Sequence, residues 1–80
     1  MTETEILDTL TTIVRQVFKN EGIVLRREST GPEIAGWDSY HYVDILLRIE
    51  ETLGVKIRAR EANKARNIGD LMTLISEKLA

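Results

Sequence analysis

Apolar residues recur at helical spacing in three stretches of the chain, and each stretch predicts a helix with one buried face. In the first stretch, seven residues form this stripe: Ile6, Leu7, Leu10, Ile13, Val14, Val17 and Phe18. Thr2 or Thr4 is expected to cap the start of this helix, and Asn20 and Gly22 are expected to end it.

Residues 20–37 lack this spacing and are rich in residues that break helices: Gly22, Ser29, Thr30, Gly31, Pro32 and Gly36. Such a density predicts a long loop, and loops of this length in compact domains are often functional. Five apolar residues are expected to hold the loop against the core: Ile23, Val24, Leu25, Ile34 and Trp37. A short strand over residues 23–25 is an alternative for part of the loop, although it would lack an obvious partner.

The second predicted helix runs from about Ser39 to Leu53. Asp38 is its expected N-cap, because an Asp side chain can accept hydrogen bonds from the first free N–H groups. Gly54 stands where helices commonly end.

A short basic helix of one or two turns is expected within Arg60–Arg66, with little to bury, and the last helix begins after Asn67. Five residues of this last helix repeat at helical spacing: Ile68, Leu71, Met72, Ile75 and Leu79. The predicted fold class is therefore all-α: a small bundle of three main helices plus one short helix, with a long loop between the first and second. With 80 residues, the chain is expected to form one domain over residues 1–80.

The second helix has more apolar surface than one core requires. Its core stripe is Tyr42, Ile45, Leu46, Ile49 and Leu53. Tyr40, Val43 and Leu47 lie on another face, close to Asp44 and the pair Glu50–Glu51. Because a helix in so small a bundle rarely buries two sides, this face is predicted to dock other proteins through an apolar centre and an acidic rim. The alternative is that the loop or the third segment covers it.

Composition excludes several functions. The chain has no cysteine and one histidine, so neither a disulfide framework nor a zinc site is expected. Its apolar runs are too short to span a membrane, and its acidic start lacks the layout of a signal peptide. We therefore expect a soluble, cytoplasmic monomer without membrane insertion.

Charge is distributed unevenly. A net charge of −2 argues against general nucleic-acid binding. Residues 33–51 are mainly acidic, whereas residues 56–66 carry five bases: Lys56, Arg58, Arg60, Lys64 and Arg66. The alternatives are an ordinary solvated surface, two patches that steer partners, and a minor third possibility in which the basic segment binds nucleic acid.

Ser39 is the candidate for chemistry, and its position admits three uses. Nucleophilic catalysis is improbable, because the only histidine, His41, lies two residues along the same helix and is expected to face solvent. Helix capping is credible but weakly diagnostic. Covalent modification is the third use, since a helix N-terminus favours an attached phosphate. No catalytic residue is expected, and the chain is predicted not to be an enzyme.

The order of these features resembles the acyl carrier protein family, which includes peptidyl carrier domains. The resemblance covers nearly the whole chain and is strongest in Gly36–Ser39, Val43, Glu50–Glu51 and Gly54–Ile57. It implies that a transferase with magnesium attaches 4′-phosphopantetheine from coenzyme A to Ser39, supported by Asp38. The arm would then hold an acyl or aminoacyl group as a thioester for loading and acyl-transferring enzymes.

The resemblance further implies that six residues dock these partners: Tyr40, Val43, Asp44, Leu47, Glu50 and Glu51. The chain departs from the family pattern at Tyr40, His41 and Arg48, and its third segment is basic. These departures favour a specialised, stand-alone carrier in a lipid or secondary-metabolite type pathway. The alternative from another class is a helical interaction module that has the same fold and no arm.

Overall fold

The computed structural model describes residues 1–80 and contains four α-helices and no strand. The helices are α1 (Glu3–Phe18), α2 (Ser39–Leu53), α3 (Ala59–Ala62) and α4 (Ile68–Leu79). A 3₁₀ turn at Gly31–Glu33 lies in the long loop between α1 and α2. The predicted all-α bundle of three main helices and one short helix is confirmed.

The core lies where α1 packs against α2 and α4. Six large side chains are almost completely buried there: Ile6, Leu10, Val14, Ile45, Ile49 and Ile75. Burial of a side chain of this size stabilises the fold by about 1.5–3 kcal/mol. Leu79, at the end of α4, remains 37% exposed, so the expected apolar stripe of this helix reaches the core only through its earlier residues.

Helix α1 begins with a capping box. Thr2 Oγ1 accepts a hydrogen bond from Glu5 N–H, while Glu5 Oε1 accepts one from Thr2 N–H, so Thr2 rather than Thr4 is the cap. The predicted stop at Asn20 and Gly22 is wrong. The helix ends at Phe18, because Lys19 adopts a left-handed conformation with φ of 53°.

The predicted ends of the other long helices are confirmed. Asp38 caps α2 by accepting a hydrogen bond from His41 N–H, and Gly54 ends it in a left-handed conformation with φ of 71°. A glycine suits this position because it has no Cβ to clash there. Asn67 caps α4 by accepting a hydrogen bond from Asp70 N–H at 2.8 Å.

Helix α3 differs from the prediction in position and length. It spans Ala59–Ala62, earlier and shorter than the expected segment over residues 60–66. Ala62 is completely buried and is the only buried residue of α3, in keeping with the expectation that this segment has little to bury. The Tyr42 hydroxyl donates a hydrogen bond to the Ala62 carbonyl oxygen at 2.9 Å, which ties α3 to α2.

The long loop is held at fewer apolar points than predicted. Leu25 is buried, and three further residues pack partly against the core: Ile23, Ile34 and Trp37. Val24 is 67% exposed, so its predicted anchoring role is wrong. No strand forms over residues 23–25.

Polar bonds supply the anchor that the apolar pattern did not predict. Ser29 is buried, and its carbonyl oxygen accepts a hydrogen bond from Ile68 N–H at 2.8 Å. The Arg27 carbonyl oxygen accepts another from Gly69 N–H at 2.7 Å. These two hydrogen bonds therefore join the loop that precedes α2 to the first turn of α4.

Candidate functional site

Ser39 is the first residue of α2, and its side chain is exposed. Its hydroxyl makes no hydrogen bond within the chain, because the capping bonds of this turn are made by Asp38. Asp38, and not Ser39, therefore caps the helix. The serine is left with a free hydroxyl at the positive end of a helix of 15 residues.

Asp38 holds the first turn of α2 through one carboxylate oxygen. Oδ1 accepts a hydrogen bond from His41 N–H at 2.8 Å and lies 2.7 Å from the His41 ring atom Nδ1. These bonds lower the pKa of Asp38, the backbone N–H contributing most and the ring next. Because an ionised carboxylate only accepts hydrogen bonds, Nδ1 of His41 carries a hydrogen in this arrangement.

His41 is not the solvent-facing residue that the sequence predicts. Its side chain is 35% exposed, and its ring stacks on Phe18 with centroids 4.8 Å apart. The prediction fails because the last residue of α1 comes beside the first turn of α2. The expectation that His41 points away from Ser39 agrees with the structure, because the His41 ring contacts Asp38 and Phe18 instead.

An aromatic cluster lies behind the Ser39 turn. Phe18 also stacks on Trp37, with centroids 5.9 Å apart, and Trp37 lies 5.3 Å from the Tyr42 ring. The Trp37 ring covers Gly31 so closely that a Cβ at Gly31 would lie 2.3 Å from Trp37 Nε1. Sequence reasoning did not group these residues. The available signal was that all four aromatic residues of the chain lie close to the ends of the long loop.

The second stripe of α2 is exposed, as expected. Tyr40 is 79%, Val43 51% and Leu47 53% exposed, so neither the loop nor α3 covers this face. Glu50 and Glu51 are exposed beside it.

Asp44, the remaining acid of this face, pairs with Arg48. Its Oδ1 accepts a hydrogen bond from Arg48 Nε at 3.2 Å. The local charge of Asp44 is thus partly compensated, and Glu50 and Glu51 provide most of the free negative charge.

The basic segment forms a surface of opposite sign. Its five bases are exposed and make no ion pair: Lys56, Arg58, Arg60, Lys64 and Arg66. The single acid of the segment, Glu61, pairs with Lys78 at 2.8 Å. The Lys78 bond, followed by the Arg58 backbone N–H, lowers the pKa of Glu61. Acids also lie in this region, because Lys64 lines the same pocket as Glu61, Asp70 and Glu77.

Two further features bear on the kinds of site that the chain offers. No group of histidine, aspartate and glutamate side chains is arranged to hold a metal ion. None of the helices combines the length and apolar character required to cross a bilayer.

Comparison with known proteins gives the family. A scan against models of protein families found no match. The chain is 30% identical to acyl carrier protein 2 of Ralstonia nicotianae, over 100% of this chain and 99% of that protein. It belongs to the acyl carrier protein family. It is also 29% identical to the acyl carrier protein of Thermosynechococcus vestitus, over the same shares of the two chains.

A solved structure agrees with this acyl carrier protein assignment. The solution NMR structure of the holo acyl carrier protein from Geobacter metallireducens superposes with a TM-score of 0.84 at 40% identity. The match covers 91% of this chain and 84% of that one. Acyl carrier proteins are carriers rather than catalysts, so the chain is a carrier protein, and the prediction that it is not an enzyme is confirmed.

Proposed function

We propose that residues 1–80 form one carrier domain whose Ser39 bears a 4′-phosphopantetheine arm. One observation carries the proposal: the Ser39 hydroxyl is exposed and unbonded in the first turn of α2, directly after the capping carboxylate of Asp38. The similarity to a holo acyl carrier protein supports it.

The residues present fit such an arm. The first N–H groups of α2 have no carbonyl one turn earlier in the helix, so they favour an anionic phosphodiester attached at Ser39. Asp38 directs one carboxylate oxygen, Oδ1, towards the backbone N–H and the ring of His41. Both groups offset part of the negative charge of the carboxylate beside the attachment site. No side chain has to move to admit the arm, because Ser39 is already exposed.

Attachment requires a phosphopantetheinyl transferase with magnesium and coenzyme A. The Ser39 Oγ forms the new phosphoester bond, the phosphoanhydride bond of coenzyme A breaks, and adenosine bisphosphate leaves. The hydroxyl proton passes to a base of the transferase. The bound arm supplies a terminal thiol that holds an acyl or aminoacyl group as a thioester, which a chain without cysteine cannot otherwise do.

The exposed face of α2 is the proposed docking surface for the transferase and for loading and acyl-transferring enzymes. Tyr40, Val43 and Leu47 provide its apolar centre, and Asp44, Glu50 and Glu51 provide its acidic rim. Aromatic and aliphatic anchors of this kind supply most of the binding energy at protein interfaces. The acids attract basic partners and mainly raise the association rate.

The cargo belongs to a dedicated pathway of lipid or secondary-metabolite type, and the carrier acts as a cytoplasmic monomer. A surface pocket of about 190 Å³, partly open to solvent, lies between the long loop, α2, α3 and α4, with Trp37, Tyr42 and Leu71 in its wall beside the polar residues Arg66 and Asn67. Its size matches a small acyl or aminoacyl group, whereas a long fatty chain would require the bundle to expand.

Intact-protein mass spectrometry tests the attachment site. The folded protein is incubated with coenzyme A, magnesium and a broad-specificity phosphopantetheinyl transferase. We expect the mass of one phosphopantetheine to be gained by the wild type and by Ser76→Ala, and not by Ser39→Ala. Ser76 is a suitable control because it is an exposed helical serine on α4.

Circular dichroism on Ser39→Ala separates attachment from folding. Because Asp38 caps α2, the substitution should change the free energy of unfolding by no more than about 0.5 kcal/mol. The thermal midpoint should therefore stay close to that of the wild type. Failure of the wild type to gain mass with several transferases would instead support a helical interaction module without an arm. Gain of mass by Ser39→Ala would place the attachment elsewhere.

A further inference from the structure

Two residues flank the tripeptide Asp38–Tyr40, and both rest on the same aromatic ring. Trp37 precedes the tripeptide and stacks on Phe18 with an interplanar angle of 19°. His41 follows it and stacks on Phe18 with an angle of 21°. Since Phe18 is the last residue of α1, the turn that presents Ser39 is held on both sides against the end of another helix.

Within this turn, His41 controls the orientation of Asp38. Oδ1 of Asp38 receives both the backbone N–H and the ring Nδ1 of His41, at 2.8 and 2.7 Å. The same carboxylate caps α2, so its rotamer is coupled to the backbone that presents Ser39. The other oxygen, Oδ2, makes no hydrogen bond within the chain and remains open to a cationic group of a bound enzyme.

We propose that His41 is a positioning residue for attachment at Ser39. Its ring stacks on Phe18, and its Nδ1–H holds Asp38, so that the capping carboxylate and the turn of backbone that carries Ser39 are presented to the transferase in one fixed arrangement. This inference rests on the proposed function, and it adds two residues, Phe18 and His41, to those that prepare the site.

The physical reason is preorganisation. A reacting oxygen must lie close to and in line with its target, and a misplacement of about 1 Å can lower a rate about 100-fold. Asp38 is exposed, so without the ring its carboxylate would be held only by the His41 backbone N–H and would have to be ordered further during docking. Ordering a side chain during association costs free energy that a preset side chain does not lose.

Steady-state loading kinetics on two variants separate the functions of the ring. His41→Phe keeps a ring for Phe18 and removes the Nδ1 donor, whereas His41→Ala removes both. We expect His41→Ala to lower kcat/KM for loading about tenfold, as a partial misplacement would, and His41→Phe to fall between it and the wild type. Gln16→Ala is the matched control, because Gln16 is exposed in the same last turns of α1.

A double-mutant cycle distinguishes positioning from a general effect on the fold. If His41 acts through Asp38, His41→Phe should have no further effect on loading once Asp38→Ala is present. Equal kcat/KM for the wild type and His41→Ala would overturn the inference while leaving the proposed function intact. Fully additive effects of the two substitutions would overturn it as well.

An NMR measurement reports on the same link without any transferase. The His41 ring is one cause of the lowered pKa of Asp38, so a ¹³C titration of the Asp38 carboxyl should give a higher pKa in His41→Phe than in the wild type. An unchanged pKa would show that the ring does not hold Asp38, which contradicts the inference. A wild type that titrates as expected but is never loaded would refute the proposed function, and with it the loading role of His41.

Discussion

At the scale of single residues, Asp38 and Ser39 are neighbours with separate functions. Asp38 makes the capping bonds that a serine could also have made, and Ser39 keeps a free hydroxyl. The sequence left helix capping and covalent modification open as uses of Ser39. In the structure Asp38 caps the helix, so covalent modification is the use that remains for Ser39. Substitution of Asp38 should consequently lower stability, whereas substitution of Ser39 should prevent modification.

Asp38 should also make stability depend on pH. Its pKa in the folded state is lowered from the ordinary value of 3.8, so its charge stabilises the fold above that pH. This contribution is lost as the pH falls below 3.8 and through the folded pKa. Asp38→Asn keeps an oxygen that can cap the helix but has no charge to lose.

Urea unfolding of the wild type and Asp38→Asn, followed by circular dichroism, measures this effect. The wild type should be the more stable protein at neutral pH, and its advantage should shrink when the pH is taken below 3.8. An advantage that stays constant over this range would mean that the charge of Asp38 does not stabilise α2.

At the scale of elements, α2 has two faces with different functions. Ile45 and Ile49 are completely buried, whereas Val43 and Leu47 are about half exposed on the other side. The buried face packs against α1, and the exposed face is the proposed docking surface. Substitution of Val43 should thus affect partner binding, whereas substitution of Ile45, two positions along the helix, should affect stability.

Val43→Glu should impair loading while leaving the fold nearly unchanged. A surface substitution usually alters stability by no more than about 0.5 kcal/mol, whereas loss of an interface anchor costs more than about 1 kcal/mol of binding. We therefore expect kcat/KM for the transferase to fall at least about fivefold, which is the rate equivalent of that binding loss. The thermal midpoint should stay close to that of the wild type.

Ile45→Ala is the control on the buried face of the same helix. Truncation of a buried isoleucine costs about 2–5 kcal/mol, so the thermal midpoint should fall by many degrees. A comparable fall for Val43→Glu would show that Val43 belongs to the core and that the docking surface has been misassigned.

At the scale of the whole molecule, acids and bases are concentrated in different stretches of the chain. Glu50 and Glu51 lie exposed at the end of α2, and the free bases of residues 56–66 follow directly along the chain. The small net charge of −2 conceals this separation. Basic partners should therefore be attracted to one side of the molecule, and salt should weaken the attraction.

Reversal of both charges on α2, in Glu50→Lys/Glu51→Lys, should lower the loading rate at low ionic strength about tenfold. Added salt should slow the wild type and speed the variant, because the reversed charges repel a basic partner and salt screens that repulsion. The control is Glu21→Lys/Glu77→Lys, which alters the net charge equally at exposed positions outside α2. Equal loss in both variants would indicate that net charge, rather than the α2 surface, governs association.

Local signals in the sequence predicted much of this protein. The bounds of α2, its caps Asp38 and Gly54, and the start of α4 after Asn67 follow from residues within a few positions of each helix end. The exposed stripe on α2 follows from helical spacing. These features could be predicted because hydrogen bonds and side-chain faces in a helix repeat over three or four residues.

Other features depend on residues that are distant in sequence, and only the tertiary structure decided them. His41 is only partly exposed because Phe18 stacks on it from another helix, and α3 is joined to α2 because the Tyr42 hydroxyl donates to the Ala62 carbonyl oxygen. Ser29 is anchored by the first turn of α4. The sequence by itself determined the all-helical fold, most helix bounds and the two apolar stripes of α2, whereas the structure decided that the Ser39 hydroxyl is unbonded and that the second stripe is exposed. The contacts that orient the serine depend on how the helices approach one another, which no local pattern specifies.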